Sequence, residues 1–348
     1  MNKKQFYSLL KSVPKAEIHL HSEAVMTRKT IRRLYKSCQG AAMTTERMNK
    51  LFSYEDLNGF INAFLTVQSY ISSADDLKIV FDDIRTYLED NNIVYAELFF
   101  APSSFLKRGY DFHTMISRIS ESISNIEKND KRTMRLLIDV SRTFGEENAM
   151  NNLNLTIKEN NPYILGIGLG GAESKGPAKD FERVFAKARK AGLHVVAHAG
   201  EDVESWSIKD ALHLLKAERI GHGITAAQDP ELVKEMAKDQ IPFEICPTSN
   251  TFTKKVVSRI QDHPIRQLYD QGCFVTVNTD DPAFFKVSLI DEYWNLYSKL
   301  HFTAEDIRKI IINGFKAAFI SDSAKKKYTA SVNKAWKEWF AANPEVTE

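Results

Sequence analysis

With 348 residues, 43% of them hydrophobic and 26% charged, the chain has an ordinary globular composition and enough length for a large core. A formal net charge of +2 supplies no strong field for nucleic acid or an acidic membrane surface. Three cysteines (Cys38, Cys246, Cys273) without a Cys-x-x-Cys spacing argue against a disulfide framework or a cysteine zinc site. With no apolar run long enough for a signal peptide or a span, the reading is a soluble, cytoplasmic protein.

In chain order, short β-rich apolar runs alternate with longer amphipathic stretches. The first strand is expected at 16–21 and carries His19 and His21. Side chains on a strand alternate faces, so the two imidazoles point the same way and can share a metal ion. A long connection follows, with helices expected at 26–38, 54–71 and 75–91. In the second of these, Leu57, Phe60, Ile61, Phe64 and Leu65 make an apolar face suited to packing on a neighbour, to covering a flat substrate, or to both. Strands are then expected at 93–101, 134–141, 164–170, 193–198, 219–222, 242–246 and 273–278. Helical patterns at 179–191, 231–238 and 262–271 fall between strands, with Gly192 and Gly272 placed as helix C-terminal glycines, and helices continue to about 320. No linker or repeat interrupts the chain, so 1–348 reads as one domain with 26–91 as a helical lid inserted in it. Eight strand–helix units imply the α/β class and a (β/α)8 TIM barrel.

Polar residues collect where these strands end. The first ends in His19 and His21, the fourth in Gly170-Gly171-Ala172-Glu173, and the fifth in His198-Ala199-Gly200-Glu201. The sixth ends in Gly221-His222-Gly223 and the eighth in Asn278-Thr279-Asp280-Asp281. Taken singly, His198 or His222 would be a hydrogen-bonded core histidine. Together, four of the nine histidines fall at the end of the barrel where catalytic groups sit. Three histidines and a carboxylate suit zinc, so His19, His21, His198 and Asp280 are the expected ligands. Glu201 is placed to face the metal without binding it. In extended backbone, Asp281 would diverge from Asp280 towards an imidazole such as His222.

These stretches, with Pro14-Lys15-Ala16-Glu17-Ile18-His19-Leu20-His21, Val94-Tyr95-Ala96-Glu97-Leu98 and Cys246-Pro247-Thr248-Ser249-Asn250, resemble the adenosine/adenine deaminase family of metal-dependent amidohydrolases. The resemblance implies a hydrolase with one zinc ion per chain and a small-molecule purine as its partner, with no nucleic acid and no membrane. Glu201 would protonate the purine ring at N1, His222 would orient the attacking water and help remove or stabilise its proton, Asp281 would accept a hydrogen bond from it, and Gly171 would offer its amide to the purine edge. Glu23 stands where nucleoside deaminases of the family usually place an aspartate for the ribose, and Ala24 replaces the usual glycine. The leading expected substrate is adenosine, yielding inosine and ammonia. Adenine, or a 5′-modified adenosine such as 6-aminodeoxyfutalosine, is the alternative. The Pro-Cys-x-x-Cys of cytidine-deaminase-type zinc enzymes is missing.

Overall fold

The computed structural model describes residues 1–253 and 256–346. Eight parallel strands lie side by side in chain order: β1 Lys15–His21, β2 Ile93–Phe100, β3 Thr133–Asp139, β4 Ile164–Leu169, β5 His194–Ala199, β6 Arg219–His222, β7 Phe243–Ile245 and β8 Val275–Val277. The ring closes just past β8, where Leu20 bridges Asp280. There the His21 N–H donates to the Asp280 carbonyl (3.0 Å) and the Asp280 N–H to the His19 carbonyl (3.2 Å). The expected barrel is therefore present, and β7 is trimmed at both ends for a simple reason. Pro242 has no N–H for the ladder, and Pro247 opens the helix Pro247–Thr253.

Inside the barrel, Phe99, Leu137 and Val196 form a small apolar cluster, all fully buried. Gly168 is what admits the Phe99 ring, since a Cβ there would lie 2.3 Å from it. Outside the sheet, helices bury one apolar stripe each, as Leu232, Val233 and Met236 do on the helix Pro230–Asp239.

An N-terminal helix, α1 Lys3–Ser12, precedes the barrel. The long connection after β1 folds as α2 Arg28–Gln39, α3 Thr45–Leu51, α4 Leu57–Ser69 and α5 Asp76–Asp90. Of these α3 was not expected: it buries only Met48, so its sequence carries no apolar period to read. Asp56 starts α4 by accepting from the Gly59 N–H at 2.7 Å. The chain also stays helical beyond 320, in Asp322–Ala342. No helix among the described residues is long and apolar enough to cross a membrane.

Candidate active site

The strand ends converge as expected. His19 Nε2 and His21 Nε2 lie 3.4 and 3.2 Å from Asp280 Oδ1, and His21 Nε2 lies 3.3 Å from His198 Nε2. Atoms of His19, His21, His198 and Asp280 all fall within 4.8 Å of one another. The site asks for a positive charge. Burial works against protonating His19, yet its contacts with Asp280 and Glu244 carry it up to about 9. His198 is pushed well down by burial and by its neighbouring imidazoles, so its ring is neutral. The buried Nε2 of His19 meets no hydrogen-bond donor or acceptor in good geometry, while its Nδ1 is fixed 2.7 Å from Glu244 Oε2. An orphaned nitrogen with its opposite nitrogen pinned is what a metal-ligating histidine requires. The four residues fit a metal ion.

Backbone geometry at the site departs from the extended chain anticipated at Asp280. Its φ is +66° and that of His222 is +61°, both in the left-handed region costly for a non-glycine residue. Asp280 and Asp281 diverge because of this turn. His222 is not paired to Asp281: its Nδ1 lies 3.1 Å from Asn250 Nδ2, and its Nε2 lies 3.5 Å from Glu201 Oε2. Gly221 brings the sheet close to the ligands, because a Cβ there would lie 2.8 Å from His19 Cε1. Gly221→Ala should therefore displace His19 and lower metal occupancy by about tenfold or more, read by metal analysis after dialysis. Unchanged occupancy would contradict this.

Glu201 is 5% exposed, and burial pushes its pKa well up, helped by the charges of Asp280, Glu173 and Asp202. Its position is set by Glu173, whose carboxylate accepts from the N–H groups of Gly200 (2.9 Å), Glu201 (2.7 Å) and Asp202 (3.2 Å) and from the Ser207 hydroxyl. So engaged, Glu173 anchors the β5 loop and is not arranged as a bridging ligand for a second metal. Asp281 is also pushed well up, by burial and by Asp280 beside it.

A cleft of about 700 Å³ opens over these groups, lined by Gly171, Glu201, His222, Asp280 and Asp281 on the barrel side. Leu57, Phe60, Ile61, Phe64 and Leu65 of α4 line the other side, so the apolar face of that helix both packs and covers. Gly171, at φ +103°, has an N–H with no protein acceptor among the described residues. Glu23 is 1% exposed and is not on the lining. Its Oε1 accepts from Gln68 Nε2 (2.9 Å) and the Ala101 N–H (3.2 Å), and its Oε2 from the Ser22 hydroxyl (2.7 Å).

Several participants were given no role in the sequence, though Glu97, Ser249 and Asn250 lie in the stretches that carry the resemblance. Ser249 Oγ donates to Asp280 Oδ2 (2.7 Å), and Asn250 meets His222, so the Pro-Thr-Ser-Asn stretch after β7 supports two site residues. Glu244, Arg219 and Glu97 form a fully buried chain of charges behind His19, with Arg219 Nε 2.5 Å from Glu244 and an Arg219 Nη 2.6 Å from Glu97. Asp139 lines the cleft. Its Oδ1 accepts from the N–H groups of Ser141 (2.8 Å) and Gly170 (3.0 Å), and among the described residues no donor reaches Oδ2. Cys246 approaches His222 and Asp280, but burial pushes its thiol well up, which disfavours the thiolate a metal would need.

The sequence matches the adenosine deaminase family over residues 14–335. It is 31% identical over 330 residues to the adenine deaminase of Cupriavidus necator, covering 94% of this chain and 93% of that one. It is 34% identical over 325 residues to the adenine deaminase of Crocosphaera subtropica, covering 92% and 98%. The solved adenine deaminase of Arthrobacter aurescens is similar with a TM-score of 0.87 at 29% identity, over 93% of this chain and 99% of that one. An amidohydrolase of Burkholderia ambifaria, solved with bound Zn, shares the fold with a TM-score of 0.93 at 22% identity, over 99% and 96%. With the barrel, the four-ligand cluster and the buried acid in place, the chain belongs to the adenosine deaminase family and is a hydrolytic deaminase.

Proposed function

We propose that this enzyme removes the 6-amino group of a purine and that the free base adenine is its preferred substrate, ahead of adenosine. The observation that carries the preference is the burial of Glu23. Its carboxylate accepts three hydrogen bonds within the protein and is 1% exposed, off the cleft lining where a ribose would have to meet it. Asp139 Oδ2 is an acceptor left open in the cleft among the described residues, as Gln68 Oε1 is, and a carboxylate oxygen suits the ring N–H that adenine has and adenosine lacks. The relatives named adenine deaminase support the same order.

One zinc ion, held by His19, His21, His198 and Asp280, fits the ligand set and the Zn-bound relative, and it would supply Lewis acidity towards water and lower its pKa. Glu201, kept protonated by its dry and negative surroundings, donates to ring N1 and makes C6 more electrophilic. Gly171 offers its N–H to the purine edge, Asp281 on the cleft lining accepts a hydrogen bond from the attacking water, and His222 holds the attacking oxygen in line. Residues 26–91 serve as the cover within a single catalytic domain, α4 laying Phe60 and Phe64 over the flat ring. We expect kcat/KM for adenine to exceed that for adenosine by about tenfold or more, in keeping with a missing hydrogen bond to a charged group. Adenosine outrunning adenine in that assay would overturn the preference.

The pH profile follows from the direction of the Glu201 shift. A carboxyl whose pKa is raised is in its acid form at neutral pH and loses it as pH climbs through the raised value. Activity should hold through neutrality and fall on the alkaline side. A fall already complete just above the ordinary glutamate pKa of about 4.3 would rule Glu201 out as the proton donor.

A further inference from the structure

His222 ends a chain of hydrogen bonds whose direction is fixed at the other end by a group that can only donate. The Ile265 backbone N–H donates to His263 Nδ1 at 3.1 Å. Burial holds the pKa of His263 down at about 3, so the ring is neutral and its single proton lies on the other nitrogen, Nε2. His263 Nε2 lies 3.1 Å from Asn250 Oδ1, which accepts. The Asn250 amide nitrogen lies 3.1 Å from His222 Nδ1 and has only protons to offer. All three side chains are buried, His263 at 3%, Asn250 at 0% and His222 at 1% exposure. Neither the amide orientation nor either histidine tautomer is then a free choice, because reversing any one of them sets two donors or two lone pairs face to face.

We infer that His263 and Asn250 are positioning residues that hold His222 in its Nε2–H tautomer, so that His222 presents a hydrogen-bond donor to the reacting centre and not a base. This rests on the deaminase reading of the site and adds to it the assignment of one proton. The Nε2 that faces the cleft is the atom 3.5 Å from Glu201 Oε2 and 3.9 Å from Asp280 Oδ2, so its proton points at the reacting centre. A neutral imidazole already protonated at that atom cannot take a second proton from water without becoming a buried cation. His222 is 1% exposed, and an added charge there would be taken out of water. His222 therefore aligns the attacking oxygen by donating to it and takes no proton from it.

Asn250→Asp is the discriminating variant, because it keeps the shape and inverts one end of the chain. A carboxylate still accepts from His263 Nε2–H but demands a proton on His222 Nδ1. In the metal-loaded enzyme, kcat should fall by about 100-fold or more, the scale on which a mis-set histidine tautomer acts, with KM changed by less than about threefold. Nitrogen NMR on histidine-labelled protein should show the His222 proton on Nε2 in the parent and on Nδ1 in the variant. His263→Leu frees the amide to flip and should also lower kcat, while His263→Gln, which retains an N–H donor, should restore most of it. A parent His222 protonated on Nδ1, or an Asn250→Asp enzyme of unchanged kcat, overturns the inference. Absence of deamination by the parent would instead overturn the underlying activity, leaving the NMR result to stand by itself.

Discussion

Glu201→Gln is expected to yield a folded enzyme that keeps its metal and loses about 100- to 10,000-fold in kcat, the range associated with removing a general acid. The two side chains have the same shape, and the loop that carries them is held by backbone N–H groups on Glu173, which the substitution does not touch. An amide can still donate a hydrogen bond to ring N1, so binding should persist and KM should move little. It cannot give its proton away. The carboxylic acid can, because burial together with Asp280 and Glu173 penalises its charged form and keeps it protonated at neutral pH. The measurement is kcat and KM beside metal content per chain. A variant with full metal and undiminished kcat would remove Glu201 from the chemistry, whereas lost metal would show that Glu201 supports the ligands instead.

How much of this was legible beforehand follows from how local each signal is. His19, His21, His198 and Asp280 could be grouped because a barrel puts every strand's C-terminal end in one place, so position along each strand stood in for proximity. The apolar face of α4 was equally legible, since its period is contained in thirteen residues. Pairings between distant strands were not. Glu244 reaches His19 from across the closed ring, and Asn250 reaches His222 from the helix after a neighbouring strand, which depends on register and on turns that no local pattern encodes. Asp139 is the last residue of β3 and carries no motif of its own. The left-handed φ of His222 and Asp280 was also hidden, because a tight turn at such residues is imposed by the ligand geometry around them and not by their own preference. The partners of Glu23 were hidden as well, since only Gln68, forty-five residues on, reveals what its carboxylate meets.

Arg219→Leu should destabilise the protein by about 3–5 kcal/mol, because it leaves two buried carboxylates without their cation. Arg219 is 1% exposed, and it meets Glu97 at 2.6 Å and Glu244 at 2.5 Å while its guanidinium stacks 3.9 Å over Phe319. Glu97 has further donors in the Tyr95 hydroxyl (2.8 Å) and the Phe319 N–H (2.7 Å), so part of its charge stays solvated by the protein. Glu244 has no such reserve beyond His19, and without Arg219 its charge falls entirely on that imidazole. A loss of this size is a large fraction of the total stability of a domain, about 5–15 kcal/mol, and should appear as a clear drop in the urea midpoint. Glu244→Gln separates the structural effect from the one on the metal. Its amide oxygen can serve His19 or Arg219 but not both, so the fold should suffer less while metal affinity falls about 10- to 100-fold as the His19 ring loses basicity and orientation. If Glu244→Gln weakens unfolding resistance and leaves metal affinity intact, the charge chain is a brace for the barrel. If Arg219→Leu unfolds at the parental urea concentration, the chain is not bracing the barrel, and the role of Glu244 is confined to aiming His19 at the ion.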